Sequence, residues 1–238
     1  MKVDVLAIGA HPDDIELSCA ATVAKLVRRG YTVGILDLTE GELGTRGTRE
    51  IRKKEAATAA GILGVSSRTS LGLPDGNIEI NQSNITKVIK VIRSHAPSIL
   101  LFPHWLERHP DHEHANRLCR EAWFYAGLAK IRTTVNGRRQ EPHRPKKFLH
   151  FMQKFEFTPS LIVDVSDVYD VKKRALAAFA SQFHNPDSSE PETLLSQKIF
   201  LDQVYARDMH YGGLINAAYG EPFFMVEPVG VETFFDIK

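Results

Sequence analysis

The chain has 238 residues, 43% of them hydrophobic, which is enough for one core, so a single domain over residues 1–238 is expected. Thirty basic against twenty-nine acidic residues leave a formal charge of +1, without a basic stripe or aromatic-basic alternation, which argues against a nucleic-acid partner. No apolar run reaches the length of a membrane span and no charged leader opens the chain, so no membrane partner and a cytosolic place of work are expected.

Residues 2–9 form a β-rich apolar run, and residues 15–29 carry Ile15, Cys19, Val23, Leu26 and Val27 at helical spacing. Between them lies Ala10-His11-Pro12-Asp13-Asp14, a strand-to-helix turn with one imidazole and two carboxylates. Strands are predicted next at 32–38, 68–71 and 98–102, with helices at 48–63, 82–94 and 112–129. Strands separated by helices of that length require parallel, right-handed crossovers. The fold class is therefore α/β: a Rossmann-like, doubly wound, mostly parallel sheet with C-terminal α/β additions.

The strand at 98–102 ends at Pro103, and His109-Pro110-Asp111-His112 then opens a helix whose apolar side is Ala115, Leu118, Cys119, Ala122 and Trp123. Beyond residue 130 the chain is polar and basic to residue 147, and it contains Asn136-Gly137, a hairpin signal. Strands near 148–153 and 161–164 and helices at 167–182 and 193–209 complete the expected order, with a loop at 184–191 as a mobile edge of the site. Cys19 and Cys119 fall on apolar helix faces and read as buried thiols, neither disulfide-bonded nor metal-binding.

Ligands of open α/β sheets bind outside the carboxyl ends of the strands, where both histidine clusters would meet. Zinc favours imidazole and carboxylate donors, and its catalytic sites keep three protein ligands. His11, Asp14 and His112 supply three, leaving Asp13 as a free carboxylate and His109 as a second titratable group. Four of the ten histidines (His104, His109, His112 and His114) fall within eleven residues. Two positions beyond His112 on a helix, His114 points about 200° away, so it and His104 read as structural.

At these residues the chain resembles the LmbE-like, or PIG-L, zinc deacetylases, which remove acetyl groups from N-acetylglucosamine linked to another moiety. Residues 41–56, from Gly41-Glu42-Leu43-Gly44 through the following helix, are similar to the family's Gly-Glu-x-Gly loop, and Leu73-Pro74-Asp75-Gly76 is similar to its sugar-side loop. Residues 126–131, 181–183, 189–193 and 219–223 resemble the subgroup that deacetylates N-acetylglucosaminyl malate in bacillithiol synthesis. The resemblance implies a Zn2+ enzyme, with Fe2+ as another divalent ion, acting on a small N-acetylglucosamine conjugate as a homo-oligomer, often a hexamer. It also implies that Arg52 and Asp75 hydrogen-bond sugar hydroxyls, although the residues alone equally allow Arg52 on a solvated helix face beside Glu55. A malate aglycone calls for cations, for which Arg108, Lys130, Arg46 and Arg49 are the candidates.

The chemistry follows from the residue types. A bound metal lowers the pKa of water from about 15.7 to about 7. Asp13 would act as base, and His109 as imidazolium would stabilise the oxyanion, with Asp111 holding that ring and favouring its charge. Either Asp13 or His109 would protonate the leaving amine. Tyr219 belongs either to the site or to the core. A nucleotidyltransferase would need His-x-Gly-His where Pro110 and Asp111 stand, and a dinucleotide site would need G-x-G-x-x-G. A non-catalytic metal-binding α/β protein leaves Asp13 and His109 without a role, and an inositol-linked or chitobiose-like conjugate is the alternative substrate.

Overall fold

Val5–Gly9 (β1) is buried at every position, as a strand covered on both faces must be. In the computed structural model, which describes residues 1–236, it pairs in parallel with Val33–Asp37 (β2) and Ile99–Pro103 (β4). Ser67–Ser70 (β3) extends one side in parallel and Lys147–Phe151 (β7) the other. Gly220–Phe224 (β9) then runs antiparallel to β7 and to Leu161–Asp164 (β8), which makes a seven-stranded sheet of order β3-β2-β1-β4-β7-β9-β8. The remaining strands, Thr134–Val135 (β5) and Arg138–Arg139 (β6), form a separate hairpin over Asn136 and Gly137, both at positive φ.

Alternate side chains of β1 face opposite layers. Val5 and Ala7 pack against Asp14–Ser18 (α1), Ala20–Arg28 (α2), Arg49–Leu63 (α3) and Tyr169–Ala177 (α6). Leu6 and Ile8 pack against Gln82–His95 (α4) and Pro110–Ala126 (α5). The helix starts are capped as their sequences suggest, with Thr48 accepting from the Ile51 N–H and Asn81 from the Asn84 N–H. Because β2 and β4 flank β1 and the connections leave it in opposite directions, the sheet has its switch point between β1 and β4. No helix among the described residues is long and apolar enough to cross a membrane. Cys19 and Cys119 are buried and free.

The structure departs from the sequence expectations in the first helix and in the C-terminal third. The helix expected at 15–29 breaks at Cys19 (φ −138°) into α1 and α2. The cause is a buried set of charges. Arg207 donates to the Leu17 carbonyl (2.7 Å) and Lys172 Nζ to that of Ser18 (3.4 Å), while the Glu221 carboxylate accepts from the N–H groups of Ala21 and Thr22. Lys172 is fully buried and donates to Asp208 and Glu221, each at 2.7 Å. The helix expected at 167–182 shortens to α6. The one expected at 193–209 begins later, as Phe200–Gly213 (α7), because Thr193 and Ser196 hydrogen-bond each other into a turn. β9 occupies a stretch for which no strand is predicted, since Gly220, Glu221 and Pro222 are poor strand formers.

Lys172→Ala leaves Asp208 and Glu221 buried without their shared cation, so the unfolding free energy should fall by about 3–5 kcal/mol. Urea unfolding checks this, with Arg174→Ala as the control: its ion pair with Asp170 is solvent-exposed, and its loss should change stability by less than about 0.5 kcal/mol. Equal midpoints for the two variants would show that the buried network contributes nothing.

Candidate active site

The turn after β1 and the loop after β4 lie side by side at the carboxyl edge of the sheet. Asp13 precedes α1 with φ 129° and ψ −20°, a conformation that a non-glycine residue holds at a cost of about 1–3 kcal/mol. Arg52 fixes it there: Nη2 donates to the Pro12 carbonyl (2.7 Å) and to Asp13 Oδ2 (3.0 Å), and Nη1 to the Gly41 carbonyl (2.8 Å). Gly41 is needed for this approach, because it has positive φ and any side chain there would run into the guanidinium. Burial pushes the Asp13 carboxyl up to about 7, with Arg52 opposing and Asp14 reinforcing the shift.

Asp14 has both oxygens engaged. Oδ2 accepts from the His11 N–H (2.9 Å), and Oδ1 lies 3.2 Å from His112 Nε2 and 2.8 Å from Gln153 Nε2. Burial works against its charge, but His112 and His11 outweigh it and hold the carboxyl well below the usual range. Among the described residues, two overlapping groups could hold a metal ion, His11-Asp14-His112 and His11-His109-Asp111. Hydrogen bonding favours the first. His11 Nε2 donates to Asp75 Oδ1 (3.0 Å) and Asp111 Oδ2 (3.3 Å), while Nδ1 faces Asp14 Oδ2 at 3.7 Å. Asp111 also accepts from the Gly76 (2.7 Å) and Ile78 (3.4 Å) N–H groups. It is thus placed to orient the imidazole from behind, as carboxylates do for metal-binding histidines. Two imidazoles and one anionic carboxylate suit zinc.

His109 caps α5 with Pro110 at its first position, and its Nδ1 accepts from the Asp111 backbone N–H (3.2 Å). In the neutral ring the proton therefore sits on Nε2. Burial and the neighbouring rings of His11 and His112 lower its pKa. The Asp111 carboxylate, expected to hold the His109 ring, hydrogen-bonds to His11 instead, and its charge opposes this lowering only in part.

Asp13, Asp14, His11, His109, His112, Arg52, Asp75 and Arg108 all line one cavity of about 610 Å³, with Asp111 directly behind His11. Arg52 is buried and already hydrogen-bonded, so the solvated-face reading does not hold and its visible work is on Asp13. Asp75 is likewise engaged, with His11 and with the Leu43 N–H (2.8 Å). Lys130 is not brought to the site. It lies exposed beyond the far end of α5, whose 17 residues span roughly 25 Å from His109. Arg49 pairs with Glu40 off the cavity wall, whereas Arg46 lies on that wall. Tyr219 stacks on Tyr169 at 3.7 Å in the core-side layer, His104 packs on Trp105, and His114 and His184 are exposed. Glu107, Gln153, Lys154 and Arg207 also reach the cavity and are absent from the sequence expectations. The signal that could have found Gln153 is positional: it follows the carboxyl end of β7, the neighbour of β4.

Residues 6–123 match the family described as GlcNAc-PI de-N-acetylase, or PIG-L. The diacetylchitobiose deacetylase of Thermococcus kodakarensis is 34% identical over 75% of this chain and 70% of its own length. A Bacillus anthracis protein described as "Probable N-acetyl-alpha-D-glucosaminyl L-malate deacetylase 2" is 29% identical over 75% of this chain and 81% of its own. Among solved structures, a conserved protein of Thermus thermophilus superposes with a TM-score of 0.87 at 34% identity, covering 98% of both chains.

Alanine at His11, Asp14 or His112 should lower zinc stoichiometry, measured by elemental analysis after dialysis, because two ligands hold the ion far more weakly than three. His114→Ala should keep the unmodified content. Full occupancy in all three ligand variants would move the metal elsewhere.

Proposed function

The chain belongs to the GlcNAc-PI de-N-acetylase (PIG-L) family, and from that membership and the site we propose that it is a zinc-dependent hydrolase removing the acetyl group from an N-acetylglucosamine conjugate. The observation that carries the reading is Asp13, a buried carboxylate held by Arg52 at a strained turn beside the His11-Asp14-His112 group. Those three residues would hold the ion. Zinc, when bound, supplies a Lewis acid that polarises a carbonyl and makes water more acidic. Asp13 takes the proton from the attacking water, and the raised pKa that burial gives it suits a base that must return that proton to the leaving amine. His109 directs its Nε2 proton at the oxygen that becomes the oxyanion, a role that hydrogen-bond donation alone can fill. Asp75 and Asp111 keep the His11 ring fixed.

Residues from the ends of β1, β4 and β7 and from α7 surround one cavity, which supports reading 1–238 as one deacetylase domain. The proposal extends to a cytosolic enzyme that associates with copies of itself, for which exposed Trp105, Leu106 and Phe155 offer apolar area. For the aglycone, we infer malate. Its support is the cationic wall of Arg46, Arg108 and Lys154. Arg46 is buried, its Nε has no hydrogen-bond partner among the described residues, and the Glu190 carboxylate with which it pairs lies 3.6 Å from that nitrogen. A guanidinium in that state is suited to a substrate carboxylate. Diacetylchitobiose is the second reading, favoured by the 34% identity of the Thermococcus enzyme.

Asp13→Asn should retain zinc while kcat falls by roughly two to four decades. Near-normal turnover would assign the base to another residue.

Measuring kcat/KM on N-acetylglucosaminyl malate and on diacetylchitobiose separates the two aglycones. Arg46→Ala should cost the malate conjugate about ten- to a hundredfold, the usual worth of a charged hydrogen bond, and leave diacetylchitobiose within about twofold. Lys130→Ala, at the far end of α5, should change neither. Better turnover of diacetylchitobiose than of the malate conjugate by the unmodified enzyme would replace malate by the second reading.

A further inference from the structure

Gln153 lies two residues past β7 on the cavity wall, and its backbone is held from both sides. The buried Glu107 carboxylate accepts from the N–H groups of Gln153 (3.1 Å), Lys154 (3.1 Å) and Phe155 (3.5 Å). Arg207 Nη1 donates to the carbonyls of Met152 (3.3 Å) and Gln153 (2.9 Å), and its Nε is fixed by Asp208 Oδ1 at 3.0 Å. A segment pinned by an anion at its donors and by a cation at its acceptors presents its side chain in one position.

That side chain meets Asp14 Oδ1 through Nε2 at 2.8 Å. Only the amino group of an amide can donate to a carboxylate, so the orientation of the amide is settled, and Oε1 points away from Asp14. Oε1 is buried and has no hydrogen-bond partner among the described residues. It is an acceptor beside the candidate ligands Asp14 and His112, and what completes it must bring an N–H or O–H. At the reacting end of an N-acetyl sugar the methyl is apolar and the carbonyl is an acceptor. The donor that an amide brings there and an ester lacks is its N–H.

We propose that Gln153 positions Asp14 through Nε2 and, through Oε1, accepts the N–H of the amide that is cleaved, so that it distinguishes an acetamido group from an acetate ester. The second half rests on the deacetylase reading above. The contact survives hydrolysis, because the product amine keeps N–H groups for the same oxygen. Gln153 therefore aligns the nitrogen while the His109 Nε2–H meets the carbonyl oxygen, and the two fix the plane of the scissile amide.

The test compares a 2-acetamido sugar with its 2-O-acetyl counterpart, which has the same shape and no N–H, using zinc-loaded unmodified protein and Gln153→Met. The substitution keeps length and removes both hydrogen bonds. KM for the amide should rise about tenfold, with kcat changed less, and KM for the ester should stay within about twofold. Zinc affinity, read by chelator competition without substrate, should weaken about tenfold or more, as loss of a residue that orients a ligand does. Equal loss on amide and ester overturns the N–H contact, and unchanged zinc affinity overturns the role on Asp14. Should Gln153→Met fail to fold, the unmodified enzyme still decides the first point: it must bind the amide about tenfold more tightly than the ester in competition, and equal binding overturns the contact. Failure of the unmodified enzyme to hydrolyse any N-acetyl sugar conjugate would sink the deacetylase reading instead, while the zinc measurement would still judge the role on Asp14.

Discussion

The structure depends on a buried group of four charges, Lys172, Arg207, Asp208 and Glu221, that interrupts the first helix. An unbroken helix from residue 14 to residue 28 would use the Leu17 and Ser18 carbonyls in its own ladder. Here Arg207 and Lys172 take those carbonyls, and Glu221 caps the start of α2 through the Ala21 and Thr22 N–H groups. Charges removed from water this completely are tolerated only when each is matched, and Tyr169 supplies Asp208 with a further donor at 2.9 Å. The break leaves α1 as little more than one turn. Asp13 and Asp14 stand at the start of that turn on the cavity wall, so the residues around Glu221 brace the segment that carries them.

The same economy of contacts runs through the site itself. Arg207 reaches from the charge network to the backbone of Gln153, whose amide holds Asp14. Arg52 ties the Gly41 turn to Asp13, and Asp75 ties the Leu43 N–H to His11. Asp13, Asp14 and His11 are therefore each held by a polar residue from another strand connection. Such bracing is what keeps a buried carboxylate like Asp13 in a backbone conformation it would not adopt alone.

How much of this is legible in the sequence depends on whether a residue acts locally. The two histidine clusters can be read because each sits where an apolar run ends and a helical pattern begins, and the parallel sheet follows from the spacing of those runs. The hairpin at Asn136-Gly137 is read from the backbone preference of two residues. By contrast, Lys172 and Arg207 look like solvated helix charges until their partners in distant parts of the chain are known. β9 is concealed because Glu221 and Pro222 serve the network and the sheet edge at the expense of strand propensity. Arg52 shows the same ambiguity within a helix, where a buried clamp and an exposed cation have identical spelling. Asp111 is legible as a member of the site, but which histidine it holds is set by a ring orientation that spacing does not encode.

The position of β9 has a consequence for how the molecule assembles. β8 is hydrogen-bonded in the sheet through β9 alone, and β9 is drawn from residues 220–224. A chain emerging from the ribosome can pair β1, β2, β3, β4 and β7 as they appear, but β8 waits for residues 220–224. Glu221 arrives with that strand, so Lys172 and the start of α2 also wait for it. Closure is thus an event of high contact order, the kind of step that sets folding rate. The helix that follows the Asp13 and Asp14 turn is locked by Glu221, a residue 200 positions beyond Ala21.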